Sequence, residues 1–100
     1  MSAAFVLERT GPGTARLSGR VGYEEAAAAF LRADALLEGA SASMELDAAD
    51  LRDVDSATLG VLLAWVARAA RQGITLRVRQ PPQGLRALAH LCGTEALLGI

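Results

Sequence analysis

Ser56 is the residue whose position most suggests chemistry, because it stands between an acidic residue and the start of a helical pattern. Asp55 precedes it, and either side chain can accept hydrogen bonds from the free N–H groups of a first helical turn. A hydroxyl at this place is also accessible to a kinase, and the helix dipole favours the resulting anion. The residues alone therefore leave two roles open for Ser56, a helix cap and a phosphorylation site.

Nucleophilic catalysis at Ser56 has little support in the sequence. It needs a general base and a group that orients that base. His90 is the single histidine, and its periodicity places it off the inner stripe of the last helix. Cys92 is the single cysteine and does not form a metal-ligand cluster with it. No glycine-rich phosphate or dinucleotide fingerprint is present. We therefore predict no catalytic residue, no metal ion, no cofactor and no enzymatic activity.

An acidic loop offers an alternative. Asp47, Asp50, Asp53 and Asp55 crowd the middle of the chain, and carboxylate pairs serve as acid and base in some hydrolases. Nothing in the sequence indicates that any of their pKa values is raised, so we favour an exposed acidic loop over an enzyme site.

Length and composition bound the class of protein. One hundred residues fit a single domain, residues 1–100, and 52% of them are hydrophobic. Only 4% are aromatic, which argues against a base-stacking surface and hence against a nucleic-acid partner. The longest uncharged run, residues 56–67, is too short to cross a bilayer, and the first nine residues lack a leader pattern. We expect a cytoplasmic protein with no direct membrane insertion.

Hydrophobic periodicity predicts the elements that hold these residues. Residues 5–7 and 15–21 flank a Gly-Pro-Gly turn and predict a hairpin, and residues 44–48 and 74–78 alternate as two further strands. Residues 24–38 and 57–72 predict helices, and a third begins after the two prolines at 81 and 82. The expected inward residues of the first and last helices are Tyr23, Ala27, Phe30, Leu37, Leu85, Leu88, Ala89 and Cys92.

The resulting order is β-β-α-β-α-β-α. Strands joined through a helix favour parallel neighbours. Strict alternation along the strands favours one deeply buried sheet face. We therefore predict an α/β fold with a mixed four-stranded sheet and helices mainly on one face.

The helix after Ser56 has two stripes. Leu59, Leu62, Leu63, Val66 and Ala70 form the expected core stripe. Thr58, Val61, Trp65 and Arg68 lie roughly opposite, so we predict that they are exposed. Trp and Arg are enriched in interface hot spots. This stripe, with Asp55 and Ser56, is our predicted partner-binding surface.

The chain also resembles a known family. Residues 44–47 and 54–63, with an acidic-Ser turn entering a Leu-rich helix, resemble a STAS domain, and the resemblance covers nearly the whole chain. Within the STAS group, Leu62-Leu63-Ala64-Trp65 and the helix from Leu85 are similar to the STAS subunit of Mla-type phospholipid ABC transporters.

The resemblance implies a non-catalytic accessory subunit that binds and stabilises or regulates the transporter's cytoplasmic ATPase. Such a subunit is peripheral to the inner membrane, and its transporter maintains outer-membrane lipid asymmetry. The alternative is an anti-sigma factor antagonist, in which a kinase phosphorylates the residue that is Ser56 here. Those proteins typically read Asp-Ser-Ser-Gly or Asp-Ser-Thr-Gly, where this chain has Ala57 and Thr58 after Ser56.

Overall fold

A four-stranded sheet organises the chain, which a computed structural model describes over residues 3–100. The predicted domain of residues 1–100 also includes Met1 and Ser2, which lie outside the described residues. The strands occur along the sheet in chain order: β1 (Phe5–Gly11), β2 (Thr14–Gly19), β3 (Ser43–Asp47) and β4 (Thr75–Arg79).

The strand pairing is mixed. β1 and β2 pair antiparallel across the Gly-Pro-Gly turn, whereas β2 with β3 and β3 with β4 pair parallel. Each parallel pair is joined through helical segments, as parallel strands require a crossover. The predicted hairpin and mixed α/β sheet are confirmed.

Within residues 3–100, five helices cover the sheet. Glycines with positive φ follow four of them, at Gly39, Gly73, Gly93 and Gly99, as expected for residues that end helices. The helices are α1 (Ala26–Phe30), α2 (Ala33–Leu37), α3 (Ser56–Arg71), α4 (Gln83–Leu91) and α5 (Glu95–Leu98).

One sheet face is buried and the other is polar. Alternate side chains of β2, β3 and β4 enter the core, while their neighbours remain exposed or half-buried, which confirms that the helices lie mainly on one face. The buried strand residues are Ala15, Leu17, Met44, Leu46, Leu76 and Val78.

The single helix predicted for residues 24–38 is wrong, because the chain breaks into α1 and α2 at Leu31 and Arg32. The carbonyl of Ala29 explains the break. It accepts hydrogen bonds from the Arg32 backbone N–H (3.0 Å) and from the Trp65 indole N–H (2.9 Å). The first is an i to i+3 bond, which tightens the turn and ends the α-helical pattern.

The Arg9 side chain binds the C-terminal end of α2. Its guanidinium donates to the carbonyls of Leu36 (3.3 Å) and Glu38 at the end of that helix, and to Pro12 (3.0 Å) in the hairpin turn. The last carbonyls of a helix have no partner within the helix and carry its negative dipole end. One arginine therefore fastens the hairpin to α2.

The inner face of α1 is also not the predicted one. Tyr23 is 87% exposed and Phe30 is 46% exposed, whereas Ala29 is fully buried. Leu37 is buried as expected. Small alanines face α3 because the bulky Trp65 side chain occupies the space between the two helices, and close packing leaves no room there for a second large ring.

The buried arc of α3 is wider than predicted and includes part of the supposed outer stripe. Thr58, Val61 and Trp65 are fully buried, so the prediction that they are exposed is wrong. The sheet and α1 cover α3 from two sides, which a single apolar stripe does not anticipate. Leu59 and Leu62 are buried as expected, Leu63 and Val66 are half-buried, and Ala70 is exposed.

The end of the chain is helical. Residues 94–100 include α5, whose Leu98 is fully buried. In α4, Leu85 and Ala89 are buried as predicted. Cys92 is exposed, against prediction, because α4 ends at Leu91 and Cys92 lies in the following turn.

Replacing Trp65 with alanine tests this packing. We expect Trp65→Ala to lower the free energy of unfolding by about 3–5 kcal/mol, because it leaves a cavity over α1 and removes the donor to Ala29. Leu91→Ala, at a side chain 81% exposed, is the matched control and should change stability by less than about 0.5 kcal/mol. Urea unfolding followed by circular dichroism measures both, and equal stabilities would contradict the assignment of Trp65 to the core.

Candidate functional site

Ser56 is the first residue of α3, and it is exposed. Asp55 caps the helix, since its Oδ1 accepts from the Thr58 backbone N–H at 3.1 Å. The Thr58 hydroxyl accepts in return from the Asp55 backbone N–H at 3.2 Å, which completes a capping box. Of the two caps that the sequence allowed, Asp55 is the one used. The Ser56 hydroxyl is therefore not needed to cap α3.

Thr58 is a positioning residue inside the domain. Its hydroxyl donates to the Val21 carbonyl at 2.6 Å, and its side chain is fully buried. Val21 lies just after β2, so this bond joins the start of α3 to the segment that leads into α1. Thr58 therefore cannot contribute exposed surface to a partner, but it fixes the chain around Ser56.

Two carboxylates flank Gly22 beside Ser56. The Glu25 Oε1 accepts from the Gly22 N–H at 3.0 Å and pairs with the Arg20 Nε at 3.5 Å. A Cβ atom on Gly22 would lie 3.0 Å from the Asp55 Oδ2 and 3.4 Å from the Glu25 Oε1. Glycine thus permits both carboxylates to approach the same backbone. A negative group added to Ser56 would stand next to this acidic cluster.

The exposed surface of α3 runs from Ser56 past small residues to Arg68. Gly60 and Ala67 are exposed, and Ala64 is half-buried. The side chain of Arg68 is 47% exposed and pairs with Asp34 of α2 at 2.9 Å. Twelve residues of helix separate Ser56 from Arg68, about 18 Å along the axis.

The predicted site residues therefore divide into two groups. Asp55, Ser56 and Arg68 are exposed along α3, whereas Thr58, Val61 and Trp65 lie in the core. Within the core group, the Thr58 hydroxyl donates to the Val21 carbonyl and the Trp65 indole N–H donates to the Ala29 carbonyl.

Sequence reasoning missed the apolar residues on the outside of α1. Tyr23, Phe30 and Leu31 are exposed, and Phe30 borders a groove of about 250 Å³ with Ala64 and Ala67 of α3. The helical spacing of Tyr23 and Phe30 was the signal, but it was assigned to the core side.

The other candidate groups do not join Ser56. His90 bonds through Nδ1 to the Glu95 Oε2 at 2.7 Å, between α4 and α5. The Asp47 Oδ1 accepts from the Ala49 N–H, at the end of β3.

Between residues 3 and 100, no group of three His, Cys, Asp or Glu side chains is arranged to hold a metal ion. None of the helices in that range is both long and apolar enough to cross a membrane.

The solved structures similar to this chain include SpoIIAA in two forms and a second anti-sigma factor antagonist. Unphosphorylated SpoIIAA matches with a TM-score of 0.73 at 18% identity, over 94% of this chain and 84% of that one. Phosphorylated SpoIIAA from Bacillus matches at 0.69 and 18%, over 94% and 87%. An antagonist from Mycobacterium paratuberculosis matches at 0.67 and 18%, over 92% and 79%. At these identities the likeness concerns the fold.

The fold, with the family match that follows, defines a STAS domain. A family model described as "Mlab, STAS domain" matches residues 7–99, and the chain belongs to this family. STAS-domain proteins are generally non-catalytic regulators. No curated protein matches the chain.

Removing the Thr58 hydroxyl tests the hydrogen bond that connects α3 to the chain after β2. We expect Thr58→Val to cost about 1–3 kcal/mol of stability, because Val cannot bond to the buried Val21 carbonyl or to the Asp55 N–H. Thr58→Ser is the control, since it keeps the hydroxyl and loses one methyl group, about 1 kcal/mol. Chemical unfolding compares the two, and a Val variant at least as stable as the Ser variant would contradict the role.

Proposed function

We propose that this chain is an accessory subunit that binds and stabilises or regulates the cytoplasmic ATPase of an ABC phospholipid transport system maintaining outer-membrane lipid asymmetry. The observation that carries the proposal is the match to the Mlab-described family model over residues 7–99. In this role the chain has no catalytic activity of its own and no cofactor. It is cytoplasmic and reaches the inner membrane only through the transporter complex.

The docking surface in this proposal is the exposed side of α3 from Asp55 and Ser56 to Arg68. Its middle is lined by Gly60, and by alanines that let a partner backbone approach closely. A Cβ atom on Gly60 would meet nothing within 4 Å, so this position is open to solvent. Asp55 and Arg68 supply opposite charges at the two ends, which can fix the register of a partner.

The same surface also favours a second candidate, an anti-sigma factor antagonist regulated by a kinase at Ser56. The supporting observation is that Ser56 is exposed while Asp55 performs the capping, so the hydroxyl is accessible. The structural neighbours include one protein in phosphorylated and unphosphorylated forms. The partner in this case is an anti-sigma factor that is also a kinase, or an associated kinase.

Substituting Gly60 separates docking from folding. We expect Gly60→Gln to stabilise the isolated domain by up to about 1 kcal/mol, because glycine is unfavourable inside a helix. The same side chain should weaken ATPase binding on the order of tenfold, about 1.4 kcal/mol, by obstructing the partner. Gly60→Ala is the control that stabilises α3 without a bulky group.

Thermal unfolding and calorimetric titration with the purified ATPase give the two quantities. If Gly60→Gln and Gly60→Ala bind the ATPase equally well, the partner does not cover the middle of α3.

Phosphorylation of Ser56 distinguishes the two candidate functions. A phosphate adds roughly −2 charge beside Asp55, so it should weaken any partner that docks there. The antagonist function predicts stoichiometric phosphate on Ser56 after incubation with the kinase encoded near this chain, and none in Ser56→Ala, by intact-protein mass spectrometry. The transporter function predicts that the unmodified chain co-purifies with the ATPase and that Ser56→Glu reduces recovery of the complex.

A further inference from the structure

An apolar strip follows α1 and the turns at its two ends, and it is formed by Tyr23, Ala27, Phe30 and Leu31; we call it the α1 strip. Tyr23 is 87% and Leu31 is 83% exposed, and Phe30 is 46% exposed. Tyr23 lies in the turn before α1, Ala27 and Phe30 lie in the helix, and Leu31 follows its last residue. Exposed apolar side chains grouped in this way mark interaction surfaces.

The α1 strip runs beside α3. At one end, Tyr23 borders a concavity that it shares with Glu24 and Asp55. At the other end, Phe30 borders the groove of about 250 Å³ whose walls include Ala64 and Ala67 of α3. The strip is therefore continuous with the docking surface proposed above.

The two ends of the α1 strip carry opposite charge. Three carboxylates, those of Glu24, Glu25 and Asp55, lie at the Tyr23 end with one cation, Arg20, which pairs with Glu25. Arg68 and Arg71 line the groove at the Phe30 end. Arg68 is paired with Asp34, whereas Arg71 makes no ion pair with a carboxylate of residues 3–100. An anionic membrane would be repelled at the acidic end, so the charge pattern suits a protein segment that carries both signs.

We propose that the α1 strip and the adjoining groove bind an amphipathic helix of the partner protein. Its apolar face covers Tyr23, Phe30 and Leu31, a basic residue lies against Asp55, and an acidic residue lies against Arg71. An amphipathic helix is recognised by laying its apolar face on a groove and the exposed apolar side chains beside it. The inference rests on the proposed function in one respect, since it specifies which partner segment occupies that surface.

Synthetic helices test the proposal directly. Three peptides of about 18 residues share one Leu/Phe face and differ at their ends, with Lys and Glu, Lys at both, or Glu at both. We expect the Lys/Glu peptide to shift the backbone amide resonances of Tyr23, Phe30 and Leu31, and to bind about tenfold more tightly than either of the others. Arg71→Glu should transfer the preference to the peptide with Lys at both ends.

A matched pair of double variants controls for nonspecific binding to exposed apolar side chains. The double substitution Phe30→Ser and Leu31→Ser should abolish binding of the Lys/Glu peptide. Leu91→Ser and Leu97→Ser remove two other exposed leucines and should leave it unchanged. All four positions are exposed, so both double variants should fold, which circular dichroism verifies.

Several results would overturn the proposal. These are equal affinity for the three peptides, resonance shifts confined to other surfaces, or binding to phosphatidylglycerol vesicles that is lost in the Phe30/Leu31 variant. Self-association in sedimentation experiments that the same variant abolishes would assign the strip to a second copy of the chain instead.

The purified ATPase separates this inference from the proposed function. If the ATPase binds the wild-type chain and the Phe30/Leu31 variant equally, the inference fails and the proposed function stands. If the ATPase binds neither but the Lys/Glu peptide docks on the α1 strip, the inference stands and the proposed transporter function fails.

Discussion

The packing of Trp65 against α1 is the interaction on which the helical layer depends. The indole fills the space between α3 and α1, and its N–H donates to the Ala29 carbonyl. That bond requires small residues on the facing side of α1 and diverts the Ala29 carbonyl from continuing the helix. Because the inner side of α1 consists of alanines, the large side chains of the segment, Tyr23 and Phe30, are left on its outside. The exposure of Tyr23 and Phe30 is thus a consequence of how the one tryptophan of the chain is buried.

The start of α3 shows a division of roles among three neighbouring residues. Asp55 satisfies the free N–H groups of the helix, and Thr58 ties the helix to the chain after β2. With both structural tasks performed by these neighbours, Ser56 keeps an exposed hydroxyl. A change in charge at Ser56 can therefore change the affinity of a partner docked there without removing the Asp55 cap. This arrangement suits either candidate function, because in both a partner protein binds at the start of α3.

The sheet, the strand order and the capped serine turn were predictable from sequence, because they rest on local patterns. Alternation identifies strands, and Asp55 and Ser56 before an apolar periodicity identify a capped helix start, although the sequence left open which of the two is the cap. Which side of each helix is buried was less predictable. Periodicity identifies the apolar side of a helix, but it does not show whether one or two neighbouring elements cover that helix. In α3 both the sheet and α1 do so, and for this reason the prediction that Trp65 is exposed is wrong. In α1, apolar residues occur on both sides, and the large ones were assigned to the core, where the facing tryptophan leaves room only for alanine.

The polar sheet face and the β1 edge of the domain are poorly suited to docking, and this bears on where a partner binds. On the polar sheet face, Arg16 lies near Glu8 and Asp47, and Arg79 pairs with Glu45, so these charges already have partners. Exposed ion pairs contribute little to affinity, and separating them offers a partner little gain. At the edge of the sheet, the Arg32 side chain donates to the Leu7 carbonyl of β1, which occupies an acceptor that an added strand would need. The side formed by α1 and α3 instead combines exposed aromatic area, small residues and the charge of Arg71, which no carboxylate of residues 3–100 pairs, so binding there displaces fewer existing interactions than binding on the sheet face.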